Sequence, residues 1–171
     1  MRRLMVFAAL ALLLAVPASA QKPGPQDGRL RVEIVEAGLF RVRRVEERER
    51  RNGIGQFTVE AELERATTTI PGRIGVNFGV RFRVTGQPAG ATVPVTVLTL
   101  FPPPGLPVPG RTPPVQRSST EMTMTVGEGR PSYRGFGFDE AWEIVPGTWR
   151  FEFRIGDEVM ATQAFTVVKA D

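Results

Sequence analysis

Carboxylates are the side chains best equipped for chemistry in this chain, because it contains no histidine and no cysteine. Those two gaps exclude a thiol nucleophile, a Ser-His-Asp triad, Cys/His zinc sites and disulfides. Asp139, Glu140 and Glu143 surround Trp142, and glycosidases work with paired acids flanking a sugar. No local spacing marks such a pair, since its members meet only in the fold, and exposed acids are ordinary surface residues. Glu60, Glu62 and Glu64 alternate along one stretch, so they share a strand face on which Arg81 and Arg83 offer salt-bridge partners of little energetic weight. Calcium would need a run of loop carboxylates, whereas Asp27, Asp139, Asp157 and Asp171 stand far apart. Gly127-Glu128-Gly129 lacks the Lys-Ser/Thr that follows in a phosphate loop and reads as a turn. Tyr133, Trp142 and Trp149 would stack on a glycan if they lay exposed in a row, although alternation puts Trp149 in the core. The residues therefore name no catalytic group, no cofactor site and no metal site.

Two segments offer surfaces for binding instead. Residues 41–51 carry Arg41, Arg43, Arg44, Arg48, Arg50 and Arg51 against Glu46, Glu47 and Glu49. An anionic envelope polymer, a phosphate or an acidic partner would dock on such a cluster. A solvated hairpin loop of mutually neutralising charges, ending at Asn52-Gly53, is the simpler explanation, since charge runs are commonly just solvated. Residues 101–117 hold prolines at 102, 103, 104, 107, 109, 113 and 114. That composition favours stiff polyproline II that cannot enter a sheet interior. The segment reads either as an exposed recognition arm, with Pro102, Pro103, Pro104, Pro107 and Pro109 to the fore, or as a stiffened crossover between two sheets.

The elements that must carry these segments alternate with a period of two. Leu30, Val32 and Ile34 interleave with Arg31 and Glu33; Phe57, Val59, Ala61 and Leu63 with Thr58, Glu60 and Glu62; Val76, Phe78, Val80, Phe82 and Val84 with Asn77, Gly79, Arg81 and Arg83. Half-buried strands read this way, and no useful window has helical spacing. Further strands are predicted near 37–45, 93–100, 119–126, 132–138, 148–155 and 159–168. Asn52-Gly53, Pro71-Gly72, Gly86-Gln87-Pro88, Gly127-Glu128-Gly129, Pro146-Gly147 and Gly156-Asp157 separate them as turns. Pro94 cannot donate to a ladder, which predicts an edge strand or a strand that begins there. Gly75 and Gly79 read as a bulge relieving sheet twist. The fold class is all-β, an antiparallel immunoglobulin-like two-sheet sandwich of about eight or nine strands, with a closed barrel as the alternative.

The last hairpin can be registered from its apolar pattern. Trp149, Phe151, Phe153 and Ile155 form one face, with Arg150, Glu152 and Arg154 on the other. A two-residue turn at Gly156-Asp157 would turn Phe165 to solvent. A three-residue loop ending at Glu158 pairs Ile155 with Val159, Phe153 with Ala161 and Trp149 with Phe165, which keeps the aromatics in the core.

Location and charge complete the reading. Arg2 and Arg3, an apolar run from Leu4 to Val16, and Ala18-Ser19-Ala20 have the order of a secretory signal cleaved before Gln21. The apolar run is too short to span a bilayer. We expect a signal peptide at 1–20, a flexible segment at 21–28 and a single β-sandwich domain at 29–171 with its Pro-rich loop at 101–117. The cleaved protein would be soluble, without a transmembrane anchor, and periplasmic or secreted. Lys and Arg total 22 against 18 acids over the whole chain; this near balance argues against nucleic acid, which demands a concentrated basic patch. The expected partners are an envelope protein or a glycan.

Ile34-Val35-Glu36-Ala37-Gly38-Leu39-Phe40, the stretch from Ile70-Pro71-Gly72 to Phe78-Gly79, and Pro146-Gly147-Thr148-Trp149 with Phe165 together resemble a bacterial exported family known as domain of unknown function 3859. The likeness runs from about residue 30 to 168. It implies a β-rich extracytoplasmic domain and supplies no activity, cofactor or site residue. The reading is an exported, non-catalytic binding or structural module of the cell envelope, with a glycan-binding module or a carboxylate-dependent glycan hydrolase as the alternative.

Overall fold

The computed structural model describes residues 28–46, 57–127 and 129–169. Strands β1 (Arg31–Glu46), β2 (Phe57–Ala66), β4 (Asn77–Thr85) and β7 (Ser132–Gly137) form a four-stranded sheet in the order β2-β1-β4-β7. Strands β3 (Thr69–Gly72), β5 (Thr92–Leu100), β6 (Arg117–Thr125), β8 (Gly147–Ile155) and β9 (Glu158–Lys169) form a five-stranded sheet in the order β3-β9-β8-β5-β6. The two faces meet on the apolar members of each alternating run: Phe78, Val80, Phe82 and Val84 from one sheet, Trp149, Phe151, Phe153, Phe165, Val95 and Val97 from the other. Phe78 sits at the centre, with ring centroids of Phe165, Phe138 and Trp149 at 5.3, 5.5 and 5.6 Å. Trp149 is fully buried and donates its indole N–H to the Val145 carbonyl at 2.8 Å, so its one polar atom is satisfied.

Several local expectations are corrected. The strands expected at 30–34 and 37–45 are one long β1, broken by an irregularity between Ile34 and Glu36 that leaves Val35 44% exposed. Without that extra residue Val32, Ile34, Ala37 and Leu39 could not all face the core. Pro71-Gly72 is not a turn: it closes β3, which runs parallel to β9 with Ile70 opposite Val167. Ile70 is wholly buried, and that burial outweighs the turn preference of the dipeptide. Gly79 makes no bulge. It sits in regular register opposite Gly38 and Gly135, and a Cβ there would collide with the Arg134 carbonyl and come within 2.5 Å of Gly135 Cα.

The last hairpin turns on Gly156-Asp157 alone, with Ile155 opposite Glu158 rather than Val159. Gly156 has φ +59°, as a two-residue turn with Gly in its first position requires. A bulge between Phe153 and Arg154 then restores Phe153 to Ala161 and Trp149 to Phe165. The core register is as the apolar pattern demands, but the extra residue lies in the strand and not in the loop. Pro94 belongs to β5, an interior strand, yet β8 pairs with β5 only from Thr96 onward. The missing amide falls where the strand still has an open side.

Residues 101–116 do not cross between sheets. They join β5 to β6, which are neighbours in one sheet. The loop prolongs that hairpin: Leu106 and Val115 exchange backbone hydrogen bonds at 2.8 and 2.9 Å. Phe101 and Leu106 are buried, and the Phe101 ring lies 4.9 Å from Trp149, so the loop closes one end of the core. Among the described residues no helix is long and apolar enough to cross a membrane.

Candidate functional site

A concavity lies where β1 and β2 leave the sheet. Arg81 stands opposite Glu36, and Ala61 opposite Val42. Glu36 and Val42 are six positions apart on β1, ~20 Å of extended chain. Yet an Arg81 guanidinium N–H donates to the Ala61 carbonyl. The β1–β2 hairpin therefore curls back as an arm over the outer face of its own sheet, bending at a second irregularity between Leu39 and Phe40.

Phe40 pins this arm. It is 2% exposed, its ring centroid is 4.8 Å from that of Tyr133, and the Arg81 guanidinium lies 5.9 Å above it. Tyr133 in turn lies across Gly135, where any Cβ would overlap the Tyr133 hydroxyl. Burial pushes the Tyr133 phenol well above the ordinary tyrosine range, against a smaller opposing influence of the Arg134 charge. Strand β7 thus has Tyr133 outside and Arg134 inside, opposite Val80 on the core-facing side. Burial lowers the Arg134 pKa; one guanidinium N–H bonds the Thr120 hydroxyl at 2.5 Å, and Nε is buried without a partner. This contact ties β7 to β6 across the open side of the sandwich.

Between arm and body opens a cleft of about 730 Å³. The arm contributes Arg41, Arg43 and the stretch Val59 to Glu62; the body contributes Arg81, Met122, Arg130, Pro131, Ser132 and Tyr133. Arg41 is held by Glu64 at 2.7 Å and Glu62 at 3.9 Å, and Arg81 by Glu36 at 3.0 Å. Arg43 and Arg130 are exposed, and neither has an ion pair among the described residues, although Glu60 stands opposite Arg43 in the strand register and also lines the cleft. The expected ladder of Glu60, Glu62 and Glu64 with Arg81 and Arg83 does not form. Strand β1 lies between β2 and β4, so Arg81 and Arg83 pair with Glu36 and Glu33 instead.

The remaining residues singled out in the sequence fall elsewhere. Of the arginine cluster, Arg44 contributes its backbone to the pairing with Val59, and Arg48, Arg50 and Arg51 lie outside the described residues. Pro102 is buried beside Gly147, while Pro103, Pro104, Pro107 and Pro109 are exposed. Glu143 accepts backbone N–H groups of Asp139 at 2.6 Å and Glu140 at 2.8 Å, capping the short 3-10 turn at Ala141–Glu143. That carboxylate is committed to the backbone. Trp142 is half-buried against the core, Trp149 is inside it and Tyr133 lies under Phe40, so the three aromatics make no exposed row. Phe40, Met122 and Arg130 went unmarked as site residues in the sequence, and Arg81 and Tyr133 were read there only as a salt-bridge partner and a stacking aromatic; β4–β7 pairing sets those two side by side, and the bend in β1 brings Phe40 onto them.

Two antiparallel-dominated sheets packed face to face define an immunoglobulin-like sandwich. A crystal structure of an immunoglobulin-like protein from Pseudomonas aeruginosa is similar to it, with a TM-score of 0.54 and 26% sequence identity over 82% of this chain and 97% of that one. The chain belongs to the family described as domain of unknown function (DUF3859), matched over residues 29–167. No curated protein matches it.

Proposed function

We propose that this protein is an exported, non-catalytic binding module of the cell envelope, and that it holds an acidic protein segment in the cleft between arm and body. The observation that carries the reading is the pair of cations, Arg43 and Arg130, that face this cleft without an ion pair among the described residues. Apolar contributions from Val59, Met122 and Tyr133 beside them suit a polypeptide, which offers both charge and hydrocarbon. The signal-like pattern of residues 1–20 supports export, and the missing histidine and cysteine support binding over catalysis.

The test is fluorescence anisotropy with labelled poly-L-glutamate. Wild type is expected to bind, and the double variant Arg43→Glu/Arg130→Glu to lose at least ~10-fold in affinity. The control Arg73→Glu/Arg111→Glu changes net charge equally on exposed positions away from the cleft and is expected to keep most of the binding. Equal loss in both variants would reduce the interaction to net charge and overturn the assignment of the cleft. Amino-terminal sequencing of protein from a periplasmic fraction checks the location, with Gln21 expected as the first residue. Unprocessed protein confined to the cytosol would refute export.

A further inference from the structure

Strand β6 is the last strand of its sheet. Along its whole length, from Arg117 opposite Leu100 to Thr125 opposite Thr92, it pairs with β5 on one side only. Among the described residues no backbone group of 117–125 bonds to backbone outside that pair. A second hollow of about 320 Å³ touches Thr123, Met124 and Thr125, and it shares Arg130 and Ser132 with the arm cleft, which touches Met122. The two together follow four consecutive residues of β6. Neighbouring residues of a strand point to opposite faces, so a hollow that touches four in a row runs along the strand's edge and not over a face. The arm cleft meets Val59 to Glu62 of β2 in the same way. There, however, Arg81 already occupies the Ala61 carbonyl, whereas on β6 the Arg134 guanidinium meets the Thr120 hydroxyl and, among the described residues, no backbone group.

We propose that this groove takes its occupant as an added strand: an extended acidic segment of another protein, hydrogen-bonded to the free edge of β6, with its carboxylates directed at Arg43 and Arg130. Open strand edges accept peptides in this manner, the backbone supplying affinity and the flanking side chains supplying selectivity. The proposal rests on the cleft reading above and specifies how the ligand is held. The charge pattern selects the occupant. Arg41 and Arg81 are paired within the protein, whereas Arg43, opposite Glu60 on the arm, and Arg130, on the β6–β7 connection, make no ion pair among the described residues and lie on opposite sides of the groove.

The experiment uses a labelled peptide of four Glu-Val repeats, two versions of it N-methylated at every Glu or at every Val, and a Lys-Val counterpart. A strand has one residue class donating along each edge, so methylation of one class removes the donors that face β6 and methylation of the other leaves them. The parent peptide is expected to bind, one methylated form to lose at least ~10-fold, and the Lys-Val peptide to bind far more weakly. Arg43→Glu/Arg130→Glu is expected to weaken the parent peptide by a similar factor, with circular dichroism unchanged. Hydrogen exchange is expected to show new protection at 117–125 when the parent peptide is bound. If both methylated forms bind as tightly as the parent, strand addition is overturned while the arginine cleft stands. If poly-L-glutamate fails as well, both readings fall. A dimer in sedimentation that the parent peptide does not dissociate would assign the edge to a second copy of this chain and overturn the proposal.

Discussion

Replacing Phe40 by alanine should release the arm, and the chain's single tyrosine reports it. Phe40 is 2% exposed and contacts Tyr133 and Arg81 on the outer face of its sheet. Phe→Ala in a closed core costs ~3–5 kcal/mol. Here the void opens towards water and the arm can relax, so the low end applies, about 3 kcal/mol. Within that figure the tilted ring pair contributes ~1 kcal/mol and the guanidinium over the ring ~0.5–1 kcal/mol. A loss of this size lowers the urea midpoint by ~1–2 M. The sharper assay is ultraviolet titration of Tyr133. In wild type, burial holds the phenol above its ordinary range, so the tyrosinate band should appear only well above pH ~10. In Phe40→Ala it should appear near pH ~10 while circular dichroism still shows a folded sheet. The sign for stability follows. A pKa raised in the folded state means that the fold favours the protonated phenol. That contribution is therefore whole below pH ~10 and declines above it by ~1.4 kcal/mol per pH unit until the raised value is reached. Wild type should accordingly lose stability with alkali more steeply than the variant. A folded variant whose Tyr133 titrates as late as wild type would refute the claim that the arm buries this ring.

Gly79→Ala should destabilise by at least ~2 kcal/mol in denaturant unfolding, because the new Cβ meets the Arg134 carbonyl across an otherwise regular pair of strands; a change within ~0.5 kcal/mol would show that β7 can step aside. Leu106→Ala should cost ~2–3 kcal/mol and alter the emission of Trp149, since Leu106 is 5% exposed and the loop that holds it carries Phe101 onto that indole. An unchanged midpoint and spectrum would return the proline-rich segment to the status of a free arm.

Much of this architecture is written in local alternation. The strand carrying Phe78 to Val84 and the one carrying Trp149 to Phe153 need no partner to declare which side they bury, because period-two patterning fixes the face once the chain is extended. The pairing of Trp149 with Phe165 was legible for the same reason, since any other parity exposes aromatics. The turn beneath it was not: a bulge at Phe153/Arg154 and a longer loop satisfy the same parity, and the apolar pattern cannot choose between them. Ile70 shows the opposite failure. Pro71 and Gly72 favour a turn locally, and only the groove beside β9, which buries Ile70 completely, makes this segment a strand. Strand β7 was harder still, since Arg134 faces inward and Tyr133 outward, and what decides the matter is the competition of Phe136 for the core.

The candidate site lies at the far end of this scale. Arg41 and Arg43 drew attention by charge density alone, but nothing in sequence joins them to Arg81, Met122, Arg130 or Tyr133. Composition and patterning determined an all-β chain without thiol or imidazole chemistry, the buried face of its strands and the residues at its aromatic centre, because each depends on a residue's type and on its nearest neighbours. Strand order, and with it which cations are paired with a carboxylate, was decided by tertiary pairing, and the cleft by the bend that lays one hairpin across its own sheet. A bend of that kind is stabilised by contacts between distant segments, so no window of sequence contains it.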